Sequence, residues 1–504
     1  MVSAPAPAGA NPHSLTTPAG LPAGVVPLAA EYWPYARTGG LADAVRSLAN
    51  WQSSVGLDVT VFLPLYRSVA DQIPGLGPGA SSFQVQVGSR SERVSLVPHP
   101  SARGPRIYFI DHPGSFDRTG IYGQGGDYPD NPRRFAIFCR AVLAALPQVA
   151  PGARVLHAHD WHTALAPVYL RTTLQHDPYY RDLATVLSVH NAGYQGHYDY
   201  ATLADIGLPD WLWDWRWMEW YGKLNILKGG LACSDAVTTV SPTHAHELRT
   251  PDGGFGLHEA FIHLKDRLVG ITNGIDFSAW NPETDPDLAV HYTHDDPAGK
   301  AACKAALQRN FGLEIDAEKP LFGMTARLVS QKGHDTIHES RLPLVTEAQY
   351  LFLGAGDPVY ESALAGYADT LPGQVAAEFN FTDRAEHQLM AGADLFLMPS
   401  LYEPCGLTQM RAQRYGAIPV ARRVGGLADT IEDGVTGFLF DPYSSDALLV
   451  ATHRAMDQYA ERPAWTRMMA EAMNRDFSWD RSGSRYLDLY RRALATHAEN
   501  RQER

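Results

Sequence analysis

QYLFLGAGD, residues 349–357, opens on a run with no alternation of polar and apolar positions and then breaks at Gly-Ala-Gly-Asp. A strand apolar on both faces is buried on both faces, the condition of a parallel sheet flanked by helices. The same signature recurs in VVPLAA (25–30), DVTVFL (58–63), RIYFI (106–110), RVLHA (154–158), TVLSVH (185–190) and AVTTV (236–240). A second series follows in LVGIT (268–272), PLFGM (320–324), DLFLM (394–398) and IPVA (418–421). Amphipathic stretches of helical length separate the runs, so the pattern predicts an α/β protein. At 504 residues the chain exceeds what one core usually supports, and two Rossmann-like, doubly wound parallel-sheet domains are expected. The break falls near GITNGID (270–276), where Asn-Gly precedes a polar, proline-containing stretch. The expected division is a flexible extension at 1–24, an N-terminal domain at 25–272, a C-terminal domain at 273–482, and a terminal helix at 483–504 packing back on the first domain.

Composition excludes several classes. A net charge of −13 and the absence of a Lys/Arg block argue against nucleic acid or an anionic membrane as partner. No apolar run approaches the ~20 residues that span a bilayer, and the Ala/Pro-rich start lacks a signal-peptide pattern. Cys139, Cys233, Cys303 and Cys405 have neither disulfide nor metal spacing, which predicts free thiols and a cytoplasmic protein.

One frame occurs twice: RTGGLADAV at 37–45 and RVGGLADTI at 423–431. In each half the Gly-Gly pair follows a predicted strand and opens a helical stretch, where glycine admits close backbone approach and free N–H groups favour an anion. Two such turns predict two domains offering loops to one cleft; a plain tight turn is the competing reading.

With its neighbours, this frame resembles the bacterial glycogen synthase and plant starch synthase family, retaining glucosyltransferases of the two-domain GT-B type. The blocks are EYWPYARTGGLADAV, HAHDWHTALAP, VHNAGYQG, YGKLNILKGGLACSDAVTTVSPTHAHEL, GITNGIDFSAWNP, ARLVSQKG, LFLGAGD, PSLYEPCGLTQ and RVGGLADTI, in the family's order from about residue 25 to FSWDRSGSRYLDLY near residue 490. The resemblance implies two domains across a deep cleft and transfer of glucose from ADP-glucose to the non-reducing-end 4-OH of an α-1,4-glucan, with retention and without a metal. A UDP-glucose or small-acceptor enzyme, or a silent glucan-binding protein, is the alternative. Oligomeric state is not legible.

Departure of the nucleotide leaves negative charge that fixed positive charge must meet. Arg327 and Lys332 in ARLVSQKG suit this, a planar fork and a point charge. In EPCGLTQ the resemblance places Glu403 at the donor glucose, with Cys405, Gly406, Leu407 and Thr408 beside the diphosphate, where first-turn N–H groups bind anions. It likewise implies His190 at the donor sugar, Asn273 and Gly354 at the donor, and Asp43, Asp160, Asn191 and Tyr194 on the sugar or acceptor side. It also implies Arg37, Gly39 and Gly40 at the donor, Arg37 standing where the family usually has a Lys that contacts the donor's phosphates from the opposite domain; Phe381 stands where a base-stacking Tyr is common. His157, His159, Asp160 and His162 also resemble a metal cluster, but alternation along a strand splits their faces. Trp211, Trp213, Trp215, Trp217 and Trp220 admit two readings, core or lid packing and stacking on glucose units.

Overall fold

The computed structural model describes residues 24–73, 76, 81–100, 104–380 and 382–502. The extension before residue 24 and Phe381 lie outside the described residues.

The first domain holds a nine-stranded sheet in the spatial order Leu268–Gly270, Ala236–Thr239, Ala184–Val189, Val155–His159, Gly24–Leu28, Asp58–Pro64, Arg106–Asp111, Arg90–Pro98 and Ser81–Val87. The first seven run parallel. Every residue of Gly24–Leu28, Val155–His159 and Ala184–Val189 is buried, as their unalternating sequences require. The last two strands extend this parallel sheet with antiparallel pairing that the sequence reading did not include. Their residues, SSFQVQVGSRSERVSLVP, alternate in polarity because one face meets solvent, and Gly88 (φ +59°) turns the hairpin. LVGIT, grouped with the second series, is the edge strand of the first sheet.

The second domain holds six parallel strands in the order Val375–Glu378, Gln349–Leu353, Leu321–Thr325, Leu395–Met398, Ile418–Arg422 and Phe438–Phe440. Its switch point lies between Leu321–Thr325 and Leu395–Met398, and the loops leaving those two strands carry Arg327 to Lys332 and Ser400 to Glu403. Ligands bind in such crevices, beyond the carboxyl ends of the strands.

The chain crosses between domains twice at one place, where the Ile275 N–H donates to the Phe477 carbonyl at 2.9 Å. The terminal helix begins at Trp479, four residues before the expected boundary at 483. Its buried face, Trp479, Tyr486, Leu489, Tyr490 and Ala493, belongs to the core of the first domain. Gln52 donates to the Tyr490 hydroxyl at 2.6 Å, and His157 Nδ1 lies 2.9 Å from it. Among the described residues no helix is long and apolar enough to cross a membrane.

Candidate active site

Lys332 closes a short 3-10 turn, Ser330–Lys332, and the chain then reverses at Gly333 with φ +78°. A Cβ there would fall 2.0 Å from the Pro399 carbonyl oxygen, so only glycine lets this loop sit against the neighbouring strand end. The contact is reinforced by Leu401 N–H on the Gln331 carbonyl (2.8 Å) and Gln331 Nε2 on the Tyr402 carbonyl (3.2 Å). The two loops therefore deliver Lys332 Nζ to Glu403 Oε2 at 2.5 Å. Ser400 Oγ donates to the same oxygen at 3.1 Å. Glu403 is buried, and these two donors satisfy its Oε2. Arg327 leaves the strand end exposed and without an ion-pair partner among the described residues. Gly354, expected at the donor, packs its backbone under the Ala326 carbonyl and supports the Arg327 loop.

The repeated frame does two different jobs, which corrects the expectation that both Gly-Gly turns offer free N–H groups to the cleft. In the second copy Gly425 and Gly426 are buried beneath the EPCG loop. A Cβ on Gly426 would meet the Cys405 carbonyl oxygen at 2.1 Å. The Gly426 N–H donates to the Glu403 carbonyl (3.1 Å), and the Gly425 N–H to Glu247 Oε1 of the first domain (2.8 Å). In the first copy buried Glu31 accepts from Thr38 N–H and Oγ1 (2.6 Å each), Gly39 N–H (3.2 Å) and the Tyr122 hydroxyl (2.6 Å). Those bonds present Gly40 towards Leu407 across the cleft, where a Cβ would stand 3.6 Å from Leu407 Cδ1.

The aspartates of both frames cross between domains. Asp43 meets Arg411 at 3.3 Å, and Asp429 accepts from the Thr243 N–H (2.9 Å) and hydroxyl (2.7 Å). Arg37 also crosses, to Asp383 at 3.4 Å. Asp43 thus sits in an ionic group with Arg37 and Arg411.

On the first domain, Asp160 follows the strand Val155–His159 in a left-handed conformation (φ +58°), and its Oδ1 accepts from the N–H groups of His190 (2.7 Å) and Asn191 (3.4 Å). His190 Nε2 lies 3.0 Å from His159 Nδ1. Burial lowers the pKa of His190 to about 4 and that of His159 well below the usual range, so both rings are neutral at pH 7 and exchange one hydrogen bond. His157 is bound by Ser188 (2.7 Å) and Tyr490, while His162 lies 4.5 Å from Tyr122, centroid to centroid. The three histidines of HAHDWH thus have separate partners, and among the described residues no group of three His, Cys, Asp or Glu side chains could hold a metal.

Burial raises the Asp160 carboxyl to about 7, against the opposing pull of the two N–H donors. A carboxyl raised in the folded state supports stability below its unfolded pKa near 3.8 and loses that support as pH climbs through about 7. Relative to Asp160→Asn, the wild type therefore loses melting temperature between pH 4 and pH 8. Paired scans across that range read the difference directly, and the buried histidines cancel between the two proteins. A pH-independent difference would contradict the placement of Asp160.

Cys405 is buried and its thiol is pushed up to about 12, so it packs as a neutral group. Asn273 shares this place: its backbone N–H bonds the Cys405 sulfur, and its Oδ1 is buried without a partner. Leu407 precedes the helix Thr408–Arg414, in which Thr408 is the first residue, and Gly406 turns with φ +69°. Asn191 bonds the Tyr402 hydroxyl, and Tyr402 packs edge-on against Phe255 at 5.1 Å. Tyr194 is 53% exposed beside them in sequence. Sequence reading missed Glu31, Asp383, Ser400, Tyr402 and Arg411. Glu31, Ser400 and Tyr402 lie inside quoted motif blocks; Asp383 and Arg411 carry no local signal.

The chain matches the family described as "Starch synthase catalytic domain" over residues 24–263 and that described as "Glycosyl transferases group 1" over residues 308–471. It is 44% identical over 474 residues to a glycogen synthase of Anaeromyxobacter dehalogenans, covering 92% of this chain and 98% of that one. Glycogen synthase 2 of Geobacter sulfurreducens is 40% identical over 481 residues, covering 94% and 99%. The catalytic domain of starch synthase IV from Arabidopsis thaliana, solved bound to ADP and acarbose, superposes with a TM-score of 0.86 at 32% identity, covering 94% of this chain and all of that one. Sucrose-phosphate synthase from Thermosynechococcus elongatus, with a TM-score of 0.61 at 19% identity and coverage of 94% and 99%, shares the fold alone.

Proposed function

The chain belongs to the glycogen synthase and starch synthase family of GT-B glycosyltransferases, and from that premise we propose that it moves glucose from ADP-glucose to the non-reducing-end 4-OH of an α-1,4-glucan, with retention. The observation that carries the reading is the Lys332–Glu403 pair at 2.5 Å, with Arg327 free on the same loop. As the bond between the anomeric carbon and phosphate oxygen breaks, Lys332 and Arg327 meet the charge growing on the diphosphate. The glucan 4-OH attacks from the same face, its oxygen bonds to the anomeric carbon, and its proton passes to the departing phosphate. Glu403 holds Lys332 and turns its other oxygen to sugar hydroxyls, and the neutral His190 ring serves as a hydrogen-bonding partner for the sugar. No thiolate is needed, in keeping with the buried Cys405.

Charge neutralisation by these side chains leaves no role for a metal in this scheme. Four free, buried cysteines suit the cytoplasm we assign to the protein. With glycogen present, ADP release from ADP-glucose should proceed in EDTA and exceed UDP release from UDP-glucose by at least about tenfold in kcat/KM, a difference of about 1.4 kcal/mol. Preference for UDP-glucose, release independent of glucan, or a rate restored only by a divalent ion would each overturn the corresponding part of the reading.

A further inference from the structure

The strand Val155–His159 is buried throughout, and its period of two puts the rings of His157 and His159 on one face. His157 is tied on both sides, Nε2 to Ser188 Oγ at 2.7 Å and Nδ1 to the Tyr490 hydroxyl at 2.9 Å. The His159 ring lies against it, with centroids 4.2 Å apart. The backbone of His159 is fixed as well: its N–H donates to Thr163 Oγ1 (2.6 Å), which donates back to the His159 carbonyl (2.8 Å). A ring so confined offers one nitrogen, Nδ1, to His190 Nε2 at 3.0 Å. Its other nitrogen, Nε2, is buried with no hydrogen-bond partner among the described residues.

That orphan decides which ring donates. A neutral imidazole carries one N–H and one bare nitrogen, and burial keeps both rings neutral. Were His190 the donor, His159 would have to carry its hydrogen on Nε2, an N–H sealed from water with nothing to receive it. With His159 as donor through Nδ1, its Nε2 is a bare nitrogen. In folded proteins a buried N–H with no acceptor is rarer than an acceptor short of a donor, so His159 gives the hydrogen. His190 Nε2 then accepts, and the single hydrogen of that ring must sit on Nδ1. This is the nitrogen of His190 that bonds nothing among the described residues and is not sealed in, just beyond the carboxyl end of the strand Ala184–Val189.

We propose that His159 is a positioning residue for the transfer: by donating to His190 Nε2 it presents His190 Nδ1–H as a hydrogen-bond donor to one hydroxyl oxygen of the donor glucose. The proposal rests on the glucosyl-transfer reading above, in which His190 meets the sugar. A hydroxyl can donate or accept, so a ring fixed as donor selects one role for that oxygen and leaves the hydroxyl hydrogen to a second partner. A sugar lacking that hydroxyl leaves the Nδ1–H unpaired and is rejected for that reason.

Two measurements on the full chain test this. With nitrogen-15-labelled histidine, and His190 assigned by its absence from His190→Gln, the spectrum of the His190 ring should show a protonated Nδ1 and a bare Nε2. A hydrogen on His190 Nε2 would overturn the proposal. The second measurement is glucan-dependent nucleotide release from ADP-glucose and from analogues lacking one hydroxyl at C2, C3, C4 or C6. Wild type should lose about ten- to a hundredfold in kcat/KM on the analogue without the hydroxyl that His190 holds. His159→Phe, which has no hydrogen to give, should fall about tenfold in kcat on ADP-glucose, and its penalty on that one analogue should shrink below about threefold while the other penalties persist. His159→Asn, whose amide N–H can stand where Nδ1–H stood, should keep kcat within about fivefold and keep the discrimination. Equal proportional losses on every donor in His159→Phe, the mark of a general packing role, would overturn the proposal, as would a Phe variant as fast and as discriminating as wild type. The spectrum needs no turnover, so Nδ1–H on His190 in a chain that released no nucleotide would sink the transfer reading and leave the bond between the two rings as assigned.

Discussion

Lys332→Ala lowers kcat by about 10³-fold, with kcat/KM for the donor falling by a similar factor, the pattern of an interaction made mainly in the transition state. The size follows from where the ammonium sits. Its side chain is 20% exposed, so water screens it poorly, and its position is fixed by a glycine turn wedged against Pro399 rather than by a mobile loop. A charge already in place needs no reorganisation when the diphosphate departs. Arginine at 332 should rescue little: the guanidinium is longer and planar, and Glu403 leaves space for a compact ammonium at 2.5 Å. Steady-state release of nucleoside diphosphate, with circular dichroism and glycogen binding as controls for folding, measures the effect. A rate within about tenfold of wild type would show that the leaving group is met elsewhere.

The parts of this molecule legible in its sequence are those set by local rules. Unalternating apolar runs named the buried strands, and Gly-Gly after a strand named two helix starts, at Gly40 and Gly425. The hairpin Ser81–Pro98 escaped because its period-two pattern is a weaker signal than the unalternating apolar runs of the parallel strands. Resemblance of the motif blocks to a known family pointed to Lys332 and Glu403, whose union needs two loops 71 residues apart. What local rules could not supply was partnership across the cleft. Asp43 and Arg411 are 368 residues apart, and Arg37 and Asp383 are 346 apart; which cation meets which carboxylate depends on how two rigid domains face each other. Identical frames likewise acquired unlike roles, because Gly425 and Gly426 are covered by the EPCG backbone while Gly40 faces across the cleft. The five tryptophans show the same limit: composition marked the stretch, and only packing separates Trp220, stacked on His197, from Trp215, left in solvent.

Glu403→Gln lowers kcat by about 10²- to 10³-fold, and the Lys332→Ala/Glu403→Gln double variant is little worse than Lys332→Ala alone. Glu403 Oε2 accepts from both Lys332 Nζ (2.5 Å) and Ser400 Oγ (3.1 Å). A glutamine offers either an oxygen there and an amide nitrogen to the sugar, or the reverse; in both arrangements the carboxylate charge is gone. In the single variant the ammonium then stands partly buried without its counter-charge and moves away from the diphosphate. Once Lys332 is absent, Glu403 has nothing left to hold, and its replacement removes only its contact with sugar hydroxyls. The cycle should therefore show an interaction of about 2–3 kcal/mol, the upper range for groups in direct contact. Additive losses, with the double variant slower by about 10⁵-fold or more, would mean that the two side chains act on different atoms of the reaction, Lys332 on the phosphate and Glu403 on the sugar ring independently. The short contact between them would then be a resting arrangement that substrate dissolves, and the charge on Glu403 would matter for the cationic sugar rather than for the placement of its neighbour.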